Sequence, residues 1–276
     1  MEHMMVEGKK HQQHYEVDAS TEKYVSFGVV RMANILPCVL LTQYLAEADW
    51  GEETEIRIMA YHSQQVLLLR SVQEAHLDQV LKRNKASGGL GNSIVKQHLQ
   101  QSDKKNMIFI VVATPVEEVG RDHDFDWAVI EPSSFRSIIQ LAGRVLRHRE
   151  HLPDKPNIAI MQYNLKALEN NDESPAYTQP GYEDRKHPLP SHDLHNLLSN
   201  KIEQGINAIP RIAHNPSLNN PFADLEHRYT AELLTAYEHK KVATLQGWLT
   251  ECWWLTALPQ ALTPFRAGQK QRLLYL

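Results

Sequence analysis

Five short apolar runs, at residues 24–30, 56–61, 107–113, 127–130 and 158–161, alternate along the first part of the chain with stretches of helical spacing. That rhythm predicts an α/β fold, a parallel sheet flanked by helices. The run at 107–113 has no polar alternation, as a central strand buried on both faces requires. Residues 66–83 place Leu67, Val72, Ala75, Val80 and Leu81 at helical spacing among polar residues, which predicts a helix packed on the surface. The glycine-rich stretch 85–92 predicts a mobile loop, and 93–101 a return to helix. After Leu168 the chain turns polar and proline-rich, so residues 169–200 are read as a linker unable to pack a core. Helical patterns at 193–206 and 222–237 make residues 201–276 a partial C-terminal helical segment. Residues 1–168 form the α/β lobe.

Composition changes this picture little. The chain has 276 residues, 42% of them hydrophobic, and a formal net charge of −4, so any nucleic-acid contact must come from local clusters rather than a general basic surface. Cys38 and Cys252 lie far apart in apolar surroundings, which predicts two buried thiols in a reducing compartment. Residues 1–13 show no apolar signal region, and the longest apolar run is far too short to span a bilayer. The expectation is a cytoplasmic protein without a membrane partner.

The strongest candidate chemistry lies at residues 135–147. On one continuous helix, Gln140, Arg144 and Arg147 share a face opposite Ile138, Ala142, Val145 and Leu146, and Gly143 leaves the backbone beside that face open. Two guanidiniums a turn apart suit a polyphosphate, because the planar fork holds phosphate oxygens bidentately and stays charged. On an arbitrary helix such a face is more often solvated and paired to carboxylates. A second element upstream favours the phosphate reading. The loop carrying Thr114, Gly120 and Asp122 directly follows the buried strand, and open parallel sheets bind ligands at the carboxyl ends of their strands. His62 and Ser63 follow another strand at the same edge.

The Ala-Thr and Glu-x-Gly-x-Asp pattern at 113–122 resembles motif V of superfamily 2 helicases. The Gln-x-x-Gly-Arg-x-x-Arg pattern at 140–147 resembles motif VI, and Tyr61-His62-Ser63 resembles motif IV. With the text at 26–34, 158–164 and 253–259, the chain from about Tyr24 onward is similar to the CRISPR-associated helicase-nucleases of type I systems, subtype I-F in particular. The resemblance implies the second RecA-like lobe of a motor that reels single-stranded DNA into an HD nuclease domain once a CRISPR guide-RNA effector complex has opened the target. It implies Arg144 and Arg147 as arginine fingers toward ATP, with Gln140 near the attacking water. Gly120, Asp122 and Gly143 would lie beside the nucleotide, and Thr114, His62 and Ser63 would touch the DNA backbone. Leu141 departs from relatives that carry arginine after the motif VI glutamine.

No phosphate-loop pattern G-x-x-x-x-G-K-[ST] occurs, and no acidic pair ends a buried strand to hold Mg²⁺. Those groups belong to the first RecA-like lobe, so the chain is expected to be silent as an ATPase alone, with ATP shared and Mg²⁺ present only in the complete motor. His192 and His195 are read as solvated or locally hydrogen-bonded, and no bound metal is expected. Trp248, Trp253 and Trp254 are read as packing residues. Lys82, Arg83 and Lys85, like Arg266, Lys270 and Arg272, are read as solvated charge. The competing function is a non-enzymatic module docking on a first lobe or effector complex. A self-sufficient nucleotide enzyme is disfavoured by the missing phosphate loop.

Overall fold

The computed structural model describes residues 9–118, 120–150, 153–170, 174–198, 205–213, 220–235, 244–252 and 256–257. In chain order the main elements are β1 (Glu16–Val17), β2 (Tyr24–Arg31), α1 (Ile35–Glu47), β3 (Thr54–Tyr61), α2 (Leu67–Leu81), α3 (Ser93–Gln101), β4 (Asn106–Ala113), β5 (Trp127–Ile130), α4 (Phe135–Ala142), β6 (Ile158–Ile160), α5 (Leu165–Asn170), α6 (Leu194–Leu197), α7 (Ile209–Ile212), α8 (Pro221–Leu234) and α9 (Leu245–Thr250). The five apolar runs all become strands, and the fold is the expected α/β arrangement.

The sheet order is β3-β4-β2-β5-β6, all parallel. β4 pairs along the full length of β2. Short β1 pairs antiparallel with the first two residues of β2, and β5 takes the last four. The register sets Arg31, Tyr61, Ala113 and Ile130 level, so four strands finish at one carboxyl edge.

Both faces of the sheet are covered. Phe27 and Val29 pack with Leu77, Val80 and Leu81 of α2, Val95 and Leu99 of α3 and Phe135, Ile138 and Leu141 of α4. On the other face Val30, Ile108, Ile110 and Val112 meet Cys38 and Leu45 of α1. Side-chain caps fix where helices begin. The Asn92 amide oxygen accepts the Ile94 N–H at 3.0 Å, and Ser134 accepts the Ser137 N–H at 3.0 Å in a reciprocal capping box. The stretch 85–92 folds as a compact turn around Gly89–Gly91.

Several expectations need correction. Residues 174–198 are not a detached linker, because Tyr177, Leu189, Leu194 and Leu197 join the same core as β2 and α4, along with Phe222 and Leu225 of α8. The reason is Glu183. Its buried carboxylate accepts the N–H groups of Ala176, Tyr177 and Leu189 at 2.8–3.1 Å and meets His192 Nε2 at 2.9 Å. Polar side chains here satisfy backbone groups instead of water, and the apolar ones turn inward. The helix expected at 193–206 is described only over Leu194–Leu197, and residues 199–204 lie outside the described residues, as do 236 and 237 of the helix expected at 222–237. Cys38 is buried, which pushes its thiol up to about 11, but Cys252 is exposed. The Arg83 side chain is buried, stacked 4.9 Å over Phe27 and paired with Asp126 at 2.8 Å. Trp253, Trp254, Arg266, Lys270 and Arg272 lie outside the described residues. Among the described residues no helix is long and apolar enough to cross a membrane.

Gly28 faces the Trp127 indole so closely that an added Cβ would stand 2.1 Å from the ring. Gly28→Ala is expected to cost about 1–3 kcal/mol by overpacking, read as a lowered urea midpoint; an unchanged midpoint would contradict this account of the sheet's centre.

Candidate functional site

The chain leaves β4 at the carboxyl edge. The Thr114 N–H donates to Tyr61 O at 3.0 Å, which sets Thr114 beside His62, and residues 115–117 form a single 3-10 turn. From there the loop runs back down the face of the sheet between α2 and α4. The Phe125 N–H donates to Arg144 O at 2.8 Å and the Leu146 N–H to Phe125 O at 2.9 Å, a short parallel bridge of Phe125 with Val145. Phe125 precedes Trp127, which lies level with Gly28 at mid-strand. The backbone of residues 144–146 therefore lies beside the amino end of β5, while the Arg144 guanidinium reaches Glu118 in the turn after β4.

That bridge also overturns the single-helix picture. α4 stops at Ala142, Gly143 caps it, and Leu146 takes a left-handed φ of 49°. Helical spacing continues in the sequence, but the Arg144 carbonyl and the Leu146 N–H, on either side of Val145, bond to Phe125 instead of extending the helix. Gln140, half-buried on α4, thus does not share a helix face with Arg144 and Arg147. Gly143 has an ordinary φ of −68°, and a Cβ there would meet nothing closer than 3.5 Å, so its backbone does not demand glycine.

The arginines nonetheless converge on the loop. Arg144 is 8% exposed; its Nη2 donates to Glu118 O at 3.0 Å, and its buried Nε has no partner. Arg147 is solvent-facing, with Nε donating to Asp122 Oδ1 at 2.7 Å and Nη1 to Gly143 O at 3.1 Å. His148 Nε2 reaches the same Asp122 oxygen at 3.1 Å. Gly120 is exposed with φ 71°, a conformation glycine adopts without a Cβ penalty. On the other strand end, Ser63 is exposed and Thr114 is buried, while His62 is half-buried with an unpartnered Nδ1.

Residues 24–150 match the family model described as CRISPR-associated nuclease/helicase Cas3, C-terminal. The CRISPR-associated nuclease/helicase Cas3 subtype I-F/YPEST of Pseudomonas aeruginosa (strain UCBPP-PA14) is 40% identical over 257 residues, covering 90% of this chain and 23% of that protein. The chain is homologous to the C-terminal part of Cas3. A second I-F/YPEST Cas3, from Pectobacterium atrosepticum, is 40% identical over 271 residues, covering 94% of this chain and 24% of its own length. The chain thus spans about a quarter of the Cas3 relatives it matches. The T. fusca Cas3-AMPPNP crystal structure is similar at a TM-score of 0.40 and 14% identity, over 88% of this chain and 26% of that one. The family read from motifs V and VI is the one the comparisons find.

What sequence reasoning missed in this Cas3 homologue is the charge network that holds the loop. Arg31, fully buried at the end of β2, donates from Nε to Glu118 at 2.8 Å, from Nη1 to Glu131 O at 2.7 Å and from Nη2 to Ser133 at 2.6 Å. Glu118 in turn presents its carbonyl to Arg144, and burial pushes its carboxyl up despite Arg31. Toward α2, Arg121 pairs with Glu74 at 2.6 Å and reaches the Tyr61 hydroxyl, while His123 sits between Glu117 at 2.6 Å and Asp78 at 3.2 Å. A charged residue ending an otherwise apolar strand was the available signal for Arg31.

Electrostatics sharpen the contrast between the two arginines. Burial, and then the Arg147 charge, lower the Arg144 pKa, whereas the hydrogen bond from Arg147 leads in holding the Asp122 carboxyl low. Arg31→Met is expected to destabilise the chain by about 3–5 kcal/mol, since it strands the Glu118 carboxylate in the interior; chemical denaturation showing under 1 kcal/mol would refute that role. Burial alone would push Glu74 up, but hydrogen bonds from Tyr61, Arg121 and Arg70 outweigh it and hold the carboxyl at about 2. Its stabilising effect is complete above the ordinary value of 4.5 and is lost as pH falls toward 2. Glu74→Gln should therefore flatten the acid limb of a stability-versus-pH curve in that window, and identical slopes for the two proteins would count against it.

Proposed function

We propose that this chain is the second motor lobe of an ATP-dependent DNA helicase-nuclease acting in CRISPR interference. The convergence of Arg144 and Arg147 on the 118–122 loop carries the reading. The unpartnered, buried Arg144 Nε is a donor suited to a phosphate oxygen. Arg147 is held by a solvent-exposed ion pair, a kind worth about 0–1 kcal/mol, and by one hydrogen bond to the Gly143 carbonyl, and a phosphate can replace the ion pair. An ATP phosphate fits this donor set. ATP, bound mainly by a first RecA-like lobe, supplies the phosphoryl group, and Mg²⁺ is held from that side. Among the described residues no three His, Cys, Asp or Glu converge on a cation position.

In this reading Arg144 and Arg147 stabilise charge on the transferring phosphoryl group, Gln140 orients water, and Gly120, Asp122 and Gly143 border the nucleotide. Thr114, His62 and Ser63, at the ends of β3 and β4, face the backbone of single-stranded DNA. Ser63 is exposed, whereas Thr114 must contribute through backbone or a small shift. The first lobe, an HD nuclease domain and a guide-RNA effector complex are the partners, and the cytoplasm is the expected compartment.

DNA-stimulated ATP hydrolysis tests the proposal. The chain alone should be silent. Combined with the remaining region of a subtype I-F Cas3 it should turn over, and Arg144→Ala or Arg147→Ala should lower kcat by about 10³-fold. Turnover by the lone chain that survives both substitutions would contradict it.

A further inference from the structure

Arg57 on β3, Phe109 on β4 and Phe27 on β2 stand level across three neighbouring strands, on the face of the sheet that α2 and α3 cover. The Phe27 and Phe109 rings stack with centroids 5.1 Å apart. Neighbouring strands lie about 4.8 Å apart, so the row runs roughly 10 Å inward from the sheet edge. Between this row and the helices lies a cavity of about 210 Å³, bounded by His76, Leu77 and Val80 of α2 and by Val95 and His98 of α3. Phe109 marks the gap: its strand has a neighbour on each side, yet the residue is only half-buried. Native cores hold few voids larger than a water molecule, and a concave apolar space of this size is the form a ligand site takes.

The walls decide what fits. Phe27 and Phe125 are fully buried at its inner end, while Met59 is half-buried and Ile94 exposed. The polar groups are Arg57, His76 and His98, all half-buried. Arg57 brings no net charge, because it pairs with Glu55 at 2.5 Å. Its Nε donates to His98 Nδ1 at 3.2 Å, so the neutral His98 ring carries its proton on Nε2. Burial lowers the pKa of both histidines, and the Arg57 charge lowers that of His98 further, which keeps both rings neutral at pH 7. A charged molecule would give up hydration here for no counter-charge. The volume is about 1.4 times that of a cavity that takes up benzene, enough for two fused rings.

We infer that this cavity binds a neutral aromatic molecule of one or two rings bearing an acceptor oxygen, the rings lying over Phe109 and Met59 and the oxygen accepting the His98 Nε2–H. Occupancy has a consequence beyond the cavity. α2 bounds it with His76, Leu77 and Val80, and the same helix holds Arg121 and His123 through Glu74 and Asp78. A molecule wedged against α2 braces the helix on the sheet and steadies the 117–124 loop. The inference needs neither ATP nor DNA and stands independently of the motor reading.

The experiment titrates the 276-residue chain with 2-naphthol, followed by its own fluorescence, and with naphthalene, which lacks the oxygen. Val80→Phe places a ring inside the cavity, and His98→Leu removes the donor at similar bulk. Circular dichroism checks that each variant folds. The expected result is saturable binding of 2-naphthol by the parent and binding at least about tenfold weaker by Val80→Phe, whose added ring takes the site's volume. His98→Leu should bind 2-naphthol about fivefold more weakly, the worth of one hydrogen bond, and naphthalene as the parent does. At ten times the dissociation constant, amide exchange in α2 should slow about tenfold. No saturable binding by the parent, equal binding by a folded Val80→Phe, an equal loss of both probes in His98→Leu, or unchanged exchange in α2 would each overturn the site. If Val80→Phe does not fold, the His98→Leu comparison and the exchange measurement decide. ATP hydrolysis is not the readout, so failure here leaves the motor reading untouched.

Discussion

A single buried guanidinium organises the carboxyl end of the sheet. Taking Arg31 out of water costs several kcal/mol unless its donors are satisfied, and the fold satisfies them with the Glu118 carboxylate, the Glu131 carbonyl and the Ser133 hydroxyl. Those partners come from the turn after β4, the end of β5 and the start of α4. The Glu131 carboxylate extends the network, accepting the Ala33 N–H at 2.6 Å ahead of α1 and the Leu165 N–H at 3.0 Å at the start of α5. Three strand ends and three helix starts are thereby fixed about one cation, and the site inherits its geometry from it through the Glu118 carbonyl.

Where local pattern decides structure, the sequence was a good guide. The unbroken apolar run at 107–113 marks an interior strand, the strand Trp127–Ile130 and the helix Ser93–Gln101 emerge with the expected limits, and the motif residues were recognisable as a set. Where a distant partner decides, it was not. Nothing in residues 140–147 announces that Val145 will pair with Phe125, so a helical repeat was extended five residues too far. The proline-rich stretch after 174 was judged by polarity, whereas its fate rests on one carboxylate, Glu183, collecting three backbone N–H groups. Arg31 and Glu118 are 87 residues apart in the chain, and their pairing leaves no trace in spacing.

The two sides of the sheet are finished differently. Beyond β5 and β6 the chain covers itself, with the Tyr177, Leu194 and Phe222 side chains closing the core. Near β3, among the described residues, Leu36, Leu40 and Leu67–Leu69 remain on the surface.

The loop at 117–124 is fastened twice, to α2 through Arg121 and His123 and to the segment after α4 through Arg144 and Arg147. A strap anchored at both ends transmits displacement instead of absorbing it. Tilting α2 would therefore shift the loop, and with it the partners that the two guanidiniums hold after α4.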